Sequence, residues 1–408
     1  MSEQKNNTPN LRFPEFTGEW EEKTLGEVAK KVNRKNTLLK VSRVLTNSAN
    51  LGVVDQGAYF DRDIAVKENT GNYSIVEIED FVYNPRISTA APVGPISINK
   101  VGQGIMSPLY TVFKFHTGCI SFYEQYFQTT IWHDYLKGIA NFGARFDRMN
   151  ITTEGFFNMP LYLPIDPTEQ EKIASCLSAM DELIAAQAEK VDALKEKKTG
   201  MMQQLFPRKG ETTPRLRFPE FTGEWVEKNI NDCFEFKQGV QCPVDLQALQ
   251  KRDGYIRFIR IIDLTQSGEP PRYIADPGLA HHICKEDLFM VRYGSPGLVG
   301  YGYEGIIANN LFRLLPKFDM CTKFFKDILT ALHKNIAALC GIGALPAINF
   351  STLGLLRISL PPTIAEQQKI ADCLSALDDQ IAAETEKLTA LKDYKKGLMQ
   401  QLFPQPAK

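Results

Sequence analysis

Two segments of this 408-residue chain are each written twice, and that duplication constrains the fold more than any other feature. The decamer LRFPEFTGEW occupies residues 11–20 and returns unchanged at 216–225. A longer unit, LPIDPTEQEKIASCLSAMDELIAAQAEKVDALKEKKTGMMQQLFP at 163–207, returns as LPPTIAEQQKIADCLSALDDQIAAETEKLTALKDYKKGLMQQLFP at 360–404, with about 28 of 45 positions alike. Self-similarity of this kind marks a duplicated structural unit. The offset is about 205 residues at the front and about 197 at the back, and the intervening bodies, roughly 29–162 and 229–359, look little alike. The chain reads as two tandem halves, each a constant lead-in, a variable body and a constant tail.

The tails read as helices. Asp166, Pro167 and Glu169 supply an N-cap, an N1 proline and the N3 acid of a capping box, and Thr363 with Glu366 rebuilds that box. Pro207 and Pro404 stop the two helices. About 38 residues at 1.5 Å each make a rod of about 57 Å. Apolar positions recur at 3–4 spacing. In the first tail they are Ile173, Leu177, Met180, Ile184, Val191, Leu194, Met201 and Leu205. In the second they are Ile370, Leu374, Leu377, Ile381, Leu388, Leu391, Leu398 and Leu402. Such a stripe is a helix-pairing seam. Gln187 and Lys198 interrupt the first seam where Glu384 and Lys395 interrupt the second. A parallel pair would set Lys198 against Lys395. An antiparallel pair sets Lys198 near Asp378 and Asp379, and Lys395 near Asp181 and Glu182, so charge favours antiparallel. The competing arrangement pairs each helix with another subunit.

Phe13, Phe16 and Trp20 are aromatic anchors in the first lead-in, and Phe218, Phe221 and Trp225 copy them. Such a strap either docks on the adjoining helix or binds a partner, and the residues alone admit both. Within the bodies, 37–46, 73–83, 110–115, 255–264, 287–292 and 311–316 have strand composition, while 121–140 and 322–339 are helical by period. An α+β body with a mixed or antiparallel sheet follows. Asp80-Phe81-Val82-Tyr83 leading to Arg86 echoes Asp287-Leu288-Phe289-Met290 leading to Arg292, and 141–152 echoes 340–352 in its place before each tail. The bodies read as one fold carrying different surfaces.

No enzyme site emerges. There is no P-loop or dinucleotide fingerprint, and 341–346 lacks the third glycine. The stretch YNPR at 83–86 lacks the second proline and the aromatic of an amino-methyltransferase motif, and no glycine-rich S-adenosylmethionine loop accompanies it. The eight cysteines are scattered and form no zinc pattern, and His281-His282 reads as a loop pair. The N-terminus lacks the apolar core of a signal peptide and no apolar run approaches the length that spans a bilayer; with scattered, reduced cysteines a cytoplasmic location is expected. Net charge is −1, which is not that of a bulk polyanion binder, so a nucleic-acid surface must be local or shared. Local basic clusters exist. Lys30, Lys31, Arg34, Lys35, Lys40 and Arg43 fall in an acid-free stretch, and Lys251, Arg252, Arg257 and Arg260 crowd another. Arg86, Arg145, Arg148, Arg292 and Arg313 are further candidates for phosphate or base contact.

The tandem architecture, the E-Q-x-K-I-A helix start and the QQLFP ending closely resemble the specificity subunit of type I restriction–modification systems. The resemblance spans nearly the whole chain. It implies an α+β fold class with two globular α+β target recognition domains separated by a long antiparallel two-helix coiled coil, in a pseudo-two-fold tandem repeat. The expected divisions are 1–163 for the first recognition domain with its strap, 164–207 for the first spacer helix, 208–360 for the second recognition domain with its strap, and 361–408 for the second spacer helix. The resemblance implies a non-catalytic subunit that reads a bipartite, asymmetric site in double-stranded DNA, one half per recognition domain. The expected partners are two adenine methyltransferase subunits and restriction/translocase subunits. S-adenosylmethionine, ATP and Mg are expected on those partners, with no cofactor or metal on this chain and no membrane contact. Half-sites one helical turn apart lie roughly 34–36 Å from each other, a gap the long helices could rule. Two rivals stand beside this reading: a duplicated protein-interaction scaffold without DNA readout, and a self-sufficient methyltransferase or nuclease, which the missing cofactor loops disfavour.

Overall fold

The structure of the chain, a computed structural model, describes residues 8–59, 70–141, 147–208, 210–266, 268–340 and 346–404. It divides into two compact units. The first holds residues 1–187 and 387–408, and the second holds 188–386. Each unit therefore contains one body, the first part of one long helix and the last part of the other. The long helices run over Pro167–Leu205 and Ile364–Leu402, and both stop short of the proline that follows. They are rich in Ala, Leu, Glu, Lys and Gln, the strong helix formers.

In the first unit a four-stranded antiparallel sheet has the order Ala29–Lys31, Thr111–Phe115, Phe81–Tyr83, Ile96–Ile98. In the second unit the order is Phe234–Gln238, Leu311–Pro316, Leu288–Val291, Val299–Gly300. The strands that echo each other in sequence thus occupy equivalent places. A helix of matched position packs on each sheet, Ile120–Phe127 in one and Thr322–Ala331 in the other. Just before the tail, Thr152 caps Thr153–Phe157 and Asn349 caps Phe350–Gly354. The second sheets differ. The first body pairs Leu45–Ser48 with Gly52–Asp55 and Ser74–Val76 with Gly104–Met106. The second builds a mixed sheet from Arg272–Ala275, Tyr255–Ile259, Gly305–Ile307 and His282–Ile283.

Three expected elements are shorter than their composition suggests. Strand character at 37–46 survives only in Leu45–Ser48, because the Asn36 side chain bonds both backbone groups of Val41 and removes them from any ladder. The run at 73–83 breaks into two strands, since Asp80 accepts from the Glu77 amide and turns the chain. At 255–264 the strand ends at Ile259, where Asp263 caps the Arg260 amide and starts Ile261–Thr265. The helical runs at 121–140 and 322–339 are each two helices, and the first pair is interrupted over 128–132.

The strap docks on the helix start of its own half. Glu169, fully buried, does not close the expected capping box. Its carboxylate accepts from Arg12 Nε and Nη2, both at 2.7 Å, and from Trp20 Nε1 at 3.3 Å. Glu366 repeats this with Arg217 at 2.8 and 2.8 Å and Trp225 at 3.2 Å. Here Thr363 does cap, accepting from the Glu366 amide at 3.2 Å. The next residue of each helix does a second task. Gln170 accepts from the Cys119 amide at 2.9 Å and Gln367 from the Cys321 amide at 3.0 Å, at the start of the body's own helix. Lys172 then sits over Phe13 and Lys369 over Phe218. Antiparallel pairs Glu21–Thr24 with Pro160–Leu163, and Val226–Asn229 with Arg357–Leu360, close the strap onto the strand that enters each tail. Of the six aromatic anchors only Trp20 and Trp225 are fully buried, and the four phenylalanines are half-buried.

The helix ends enter the cores. Leu402 and Phe403 are buried with Trp20, Phe122 and Tyr126, and Phe403 lies 5.5 Å from Phe122 between ring centres. In the second unit Leu205 and Phe206 are buried with Trp225 and Phe324. The amide of Leu11 donates to Gln401 O at 2.9 Å and that of Leu216 to Gln204 O at 3.0 Å, so the strap also satisfies a carbonyl left open at a helix end.

All sixteen seam residues are buried or half-buried. Within the first unit Ile173 and Leu177 share a core with Leu402, while Asp181 meets Lys395 at 2.6 Å, so position falls on one helix as it rises on the other. Within the second unit Lys190 meets Glu384, Lys198 meets Asp378 at 2.5 Å, and Leu205 shares a core with Ile370 and Leu374. The two helices of one chain pair antiparallel. The surroundings of the two lysines differ. Lys395 also donates to Gln128, and Asp181 accepts from Gln125. Asp378 instead accepts from a second cation, Lys326, which neighbours the buried Asp327. Burial alone would raise Asp378, but hydrogen bonds from Lys198 and Lys326 hold it below the usual carboxylate range. For Asp327 burial dominates and pushes the carboxyl up despite Lys326.

Asp181→Lys should destabilise the first unit by about 1 kcal/mol, because Asp181 is partly exposed and water screens the pair. Adding Lys395→Glu should restore most of that loss. A double-mutant cycle on chemical unfolding reads the coupling, and a zero coupling energy would show that the pair does not set helix orientation.

Candidate nucleic-acid interface

The basic candidates divide by what their charges already touch. In the first body Arg34 bonds Glu77 at 2.6 Å and also Asp80. Burial pushes the Asp80 carboxyl up in spite of the Glu77 amide and Arg34. Arg43 bonds Asp55 at 3.0 Å and the Val101 carbonyl at 2.7 Å. Lys31 donates to Thr153, and Lys35 to Asn72 O and Ser74. Lys30, Lys40 and Arg86 are exposed and make no ion pair among the described residues. Arg86 and Arg148 face each other across an isolated antiparallel bridge, which brings these two candidates together. Arg148 is half-buried beside Asp147 at 3.8 Å. Arg145 lies outside the described residues.

In the second body Arg257 and Arg260 converge on one carboxylate. Asp263 accepts from Arg257 Nη2 at 2.6 Å and Arg260 Nε at 3.1 Å. Burial would raise Asp263, yet the hydrogen bonds from Arg260 and Arg257 hold it low. The i, i+3 spacing of Arg260 and Asp263 was the available signal for this cluster, and sequence reasoning passed over it. Arg292 donates to Gln238 at 3.0 Å and to Ile348 O, and stacks over Phe350. Arg313 bonds Ala280 O at 3.1 Å and lies 3.6 Å from Asp287. Arg252 lies over the Tyr255 ring, and Lys251 is exposed without an ion pair among the described residues. Most candidate arginines are therefore structural braces of their own loops. Among the described residues, the candidates exposed without an ion pair or ring contact are Lys30, Lys40, Arg86 and Lys251.

The rest of the polar inventory offers little chemistry. His282 lies 2.8 Å from Asp276, a single pair that sequence spacing did not suggest. Burial lowers His133 to about 4, so it is neutral at pH 7. Among the described residues no group of three or more His, Cys, Asp or Glu is placed to hold a metal, and no helix is long and apolar enough to cross a membrane. What the two bodies present is a set of braced loops with local positive charge on one common scaffold. That arrangement can hold phosphates and offer side chains to base edges.

The family model for the type I restriction modification DNA specificity domain matches residues 17–196 and again 222–393. A curated relative, the putative type I restriction enzyme MjaX specificity subunit of Methanocaldococcus jannaschii, is 25% identical over 257 residues. That alignment takes in 60% of this chain and 58% of the relative, so the chain spans little more than half of that relative's length. Among solved structures, the type I restriction–modification S subunit from M. genitalium aligns over 98% of this chain and 100% of its own, at 15% identity and a TM-score of 0.58. A chain from a structural study of assembly and conformational transition in a type I R-M system aligns over 94% of this chain and 97% of its own, at 14% identity and a TM-score of 0.58. At such identities the likeness is one of fold.

Proposed function

Because the chain belongs to the type I restriction–modification DNA specificity family, matched once in each half, we propose that it is the non-catalytic, sequence-reading subunit of such a complex. Each body reads one half of a bipartite, asymmetric site in double-stranded DNA. Two adenine methyltransferase subunits, and restriction/translocase subunits, assemble on it and bring S-adenosylmethionine, ATP and Mg. The working divisions are residues 1–163 and 208–360 for the recognition domains and 164–207 and 361–408 for the spacer helices. The complex works in the cytoplasm.

One observation carries this reading. An identical cradle of strap, Glu–Gln helix start and Leu–Phe helix end supports two bodies of equivalent main sheet, while the second sheets and basic loops differ. A constant frame with unlike faces suits a reader of two unlike half-sites. The near-neutral chain leaves part of the phosphate neutralisation to its partners.

Co-expression with the cognate methyltransferase, followed by methylome sequencing, is expected to reveal a two-part methylated motif with an unspecified spacer. Replacing residues 29–162 with another recognition body should change one half of the motif and leave the other. Both halves changing, or no salt-dependent retention on DNA by the assembled complex, would overturn the assignment.

A further inference from the structure

The loop after the first strand of the first body turns two leucines to solvent. Leu38 is 74% exposed and Leu39 is 54% exposed. Among the described residues Leu39 is one of two non-glycine residues with positive φ, at 51°, a conformation that side chains with a Cβ rarely adopt. The loop is nonetheless held firmly. Asn36 is buried, and its side chain donates to Val41 O at 2.8 Å and accepts from the Val41 amide at 3.2 Å. The Asn36 carbonyl accepts from the Leu39 amide at 2.9 Å, and its own amide bonds Tyr73 O at 3.0 Å. Strain kept in place by a buried clasp is characteristic of a functional position. No acid occurs in the sequence between Glu27 and Asp55, and Lys35 and Lys40 flank the tip, while Arg43 is already paired with Asp55. The second body does something similar at the same point of its chain. The turn Val244–Leu246 exposes Val244 and Leu246, Gln247 clasps the Cys242 carbonyl at 3.0 Å, and Lys251 and Arg252 follow. Asp245 makes that tip less basic, so the first body carries the argument.

We infer that Leu38 and Leu39 form an apolar wedge that enters a groove of the DNA and packs into a base step of the first half-site, with Lys40 on the adjacent phosphate. The inference rests on the DNA-reading function proposed above. Charge decides the occupant: a lysine-flanked tip in an acid-free stretch of chain is complementary to a polyanion, and aliphatic wedges between base steps are an established way for proteins to kink a duplex.

The test uses the full chain assembled with its methyltransferase. Its probes are a duplex bearing the mapped motif, with 2-aminopurine at successive steps of the first half-site, and a random duplex. The variant L38A/L39G removes both side chains, while glycine accepts the positive φ at position 39 and so preserves the loop. Wild type should brighten at one step, where stacking is lost. The variant should lose that signal and bind the motif duplex on the order of 10- to 100-fold more weakly. Its salt slope and its random-duplex affinity should match wild type, because an apolar contact releases no counterions. Lys40→Ala should lower the slope instead. Unchanged motif affinity in L38A/L39G overturns the wedge, as does a loss traced to weaker methyltransferase co-purification, which would make the tip a protein contact. Wild type that shows no salt-dependent DNA binding overturns the underlying function itself.

Discussion

A chain ending at Gln401 is expected to lose the fold of the unit that contains residues 1–187, while the unit of residues 188–386 keeps its own. The N-terminal body would fail because of a C-terminal cut. Leu402 and Phe403 are buried in the core of the first unit, with Phe403 at 5.5 Å from Phe122, 5.8 Å from Tyr126 and 6.3 Å from Trp20. Deleting a buried leucine costs about 2–5 kcal/mol and a buried phenylalanine about 3–5 kcal/mol. Together these approach the whole stability of a typical domain, about 5–15 kcal/mol. Peptide-resolved hydrogen exchange reads the result directly, because each peptide reports its own unit. Phe403→Ala is the milder version, at about 3–5 kcal/mol, and Phe206→Ala should strike the second unit in the same way. Full protection of residues 81–127 in the truncated chain would show that the Leu–Phe end is not part of that core.

Glu169→Ala should destabilise the first unit by about 3–5 kcal/mol, the usual result of removing one partner from a buried ion pair. The loss comes from what remains. Arg12 keeps its charge in a mostly buried place, and the Trp20 indole N–H loses its acceptor. Glu169→Gln retains an acceptor without the charge and should cost roughly half as much, since charge-assisted bonds are about twice as strong as neutral ones. Arg12→Lys should also weaken the clamp, because an ammonium cannot grip a carboxylate with two parallel bonds. The same set in the second unit is Glu366, Arg217 and Trp225, where the hydrogen bond that Arg217 donates to Glu366 holds its guanidinium above its usual range. Chemical unfolding followed by tryptophan emission fits this test, because Trp20 and Trp225 each sit at a clamp. An Ala variant as stable as wild type would mean that the repeated decamer is kept for some reason other than this contact.

The strap is instructive about what could be read in advance. Its duplication was plain, and so were its aromatics, yet docking and partner binding were equal readings until Glu169 was seen to receive Arg12. The glutamate looked like a capping acid because its distance from Asp166 fits that motif. A capping box needs only local geometry, whereas a clamp needs a residue 157 positions away. Likewise Leu402 looked like the end of a seam, and Phe403 and Gln170 had no visible task. The basic residues were legible as clusters but not as contacts. That Arg257 and Arg260 share Asp263, or that Arg292 braces Gln238, depends on where loops fold back.

The sequence by itself determined the duplication, the two long helices with their ends, the seam, the antiparallel sense and the α+β bodies. These follow from periodicity, proline placement and the sign of a few charges, all of which act over short spans or along one repeating direction. Only the tertiary structure decided which body each helix end enters, what the Glu–Gln pair holds, which arginines are already engaged, and that Leu38 and Leu39 stand exposed on a clasped loop. Those outcomes depend on how loops and distant segments fold back on one another, from a five-residue clasp at Asn36 to a clamp spanning 157 residues, and proximity of that kind leaves no period in the chain.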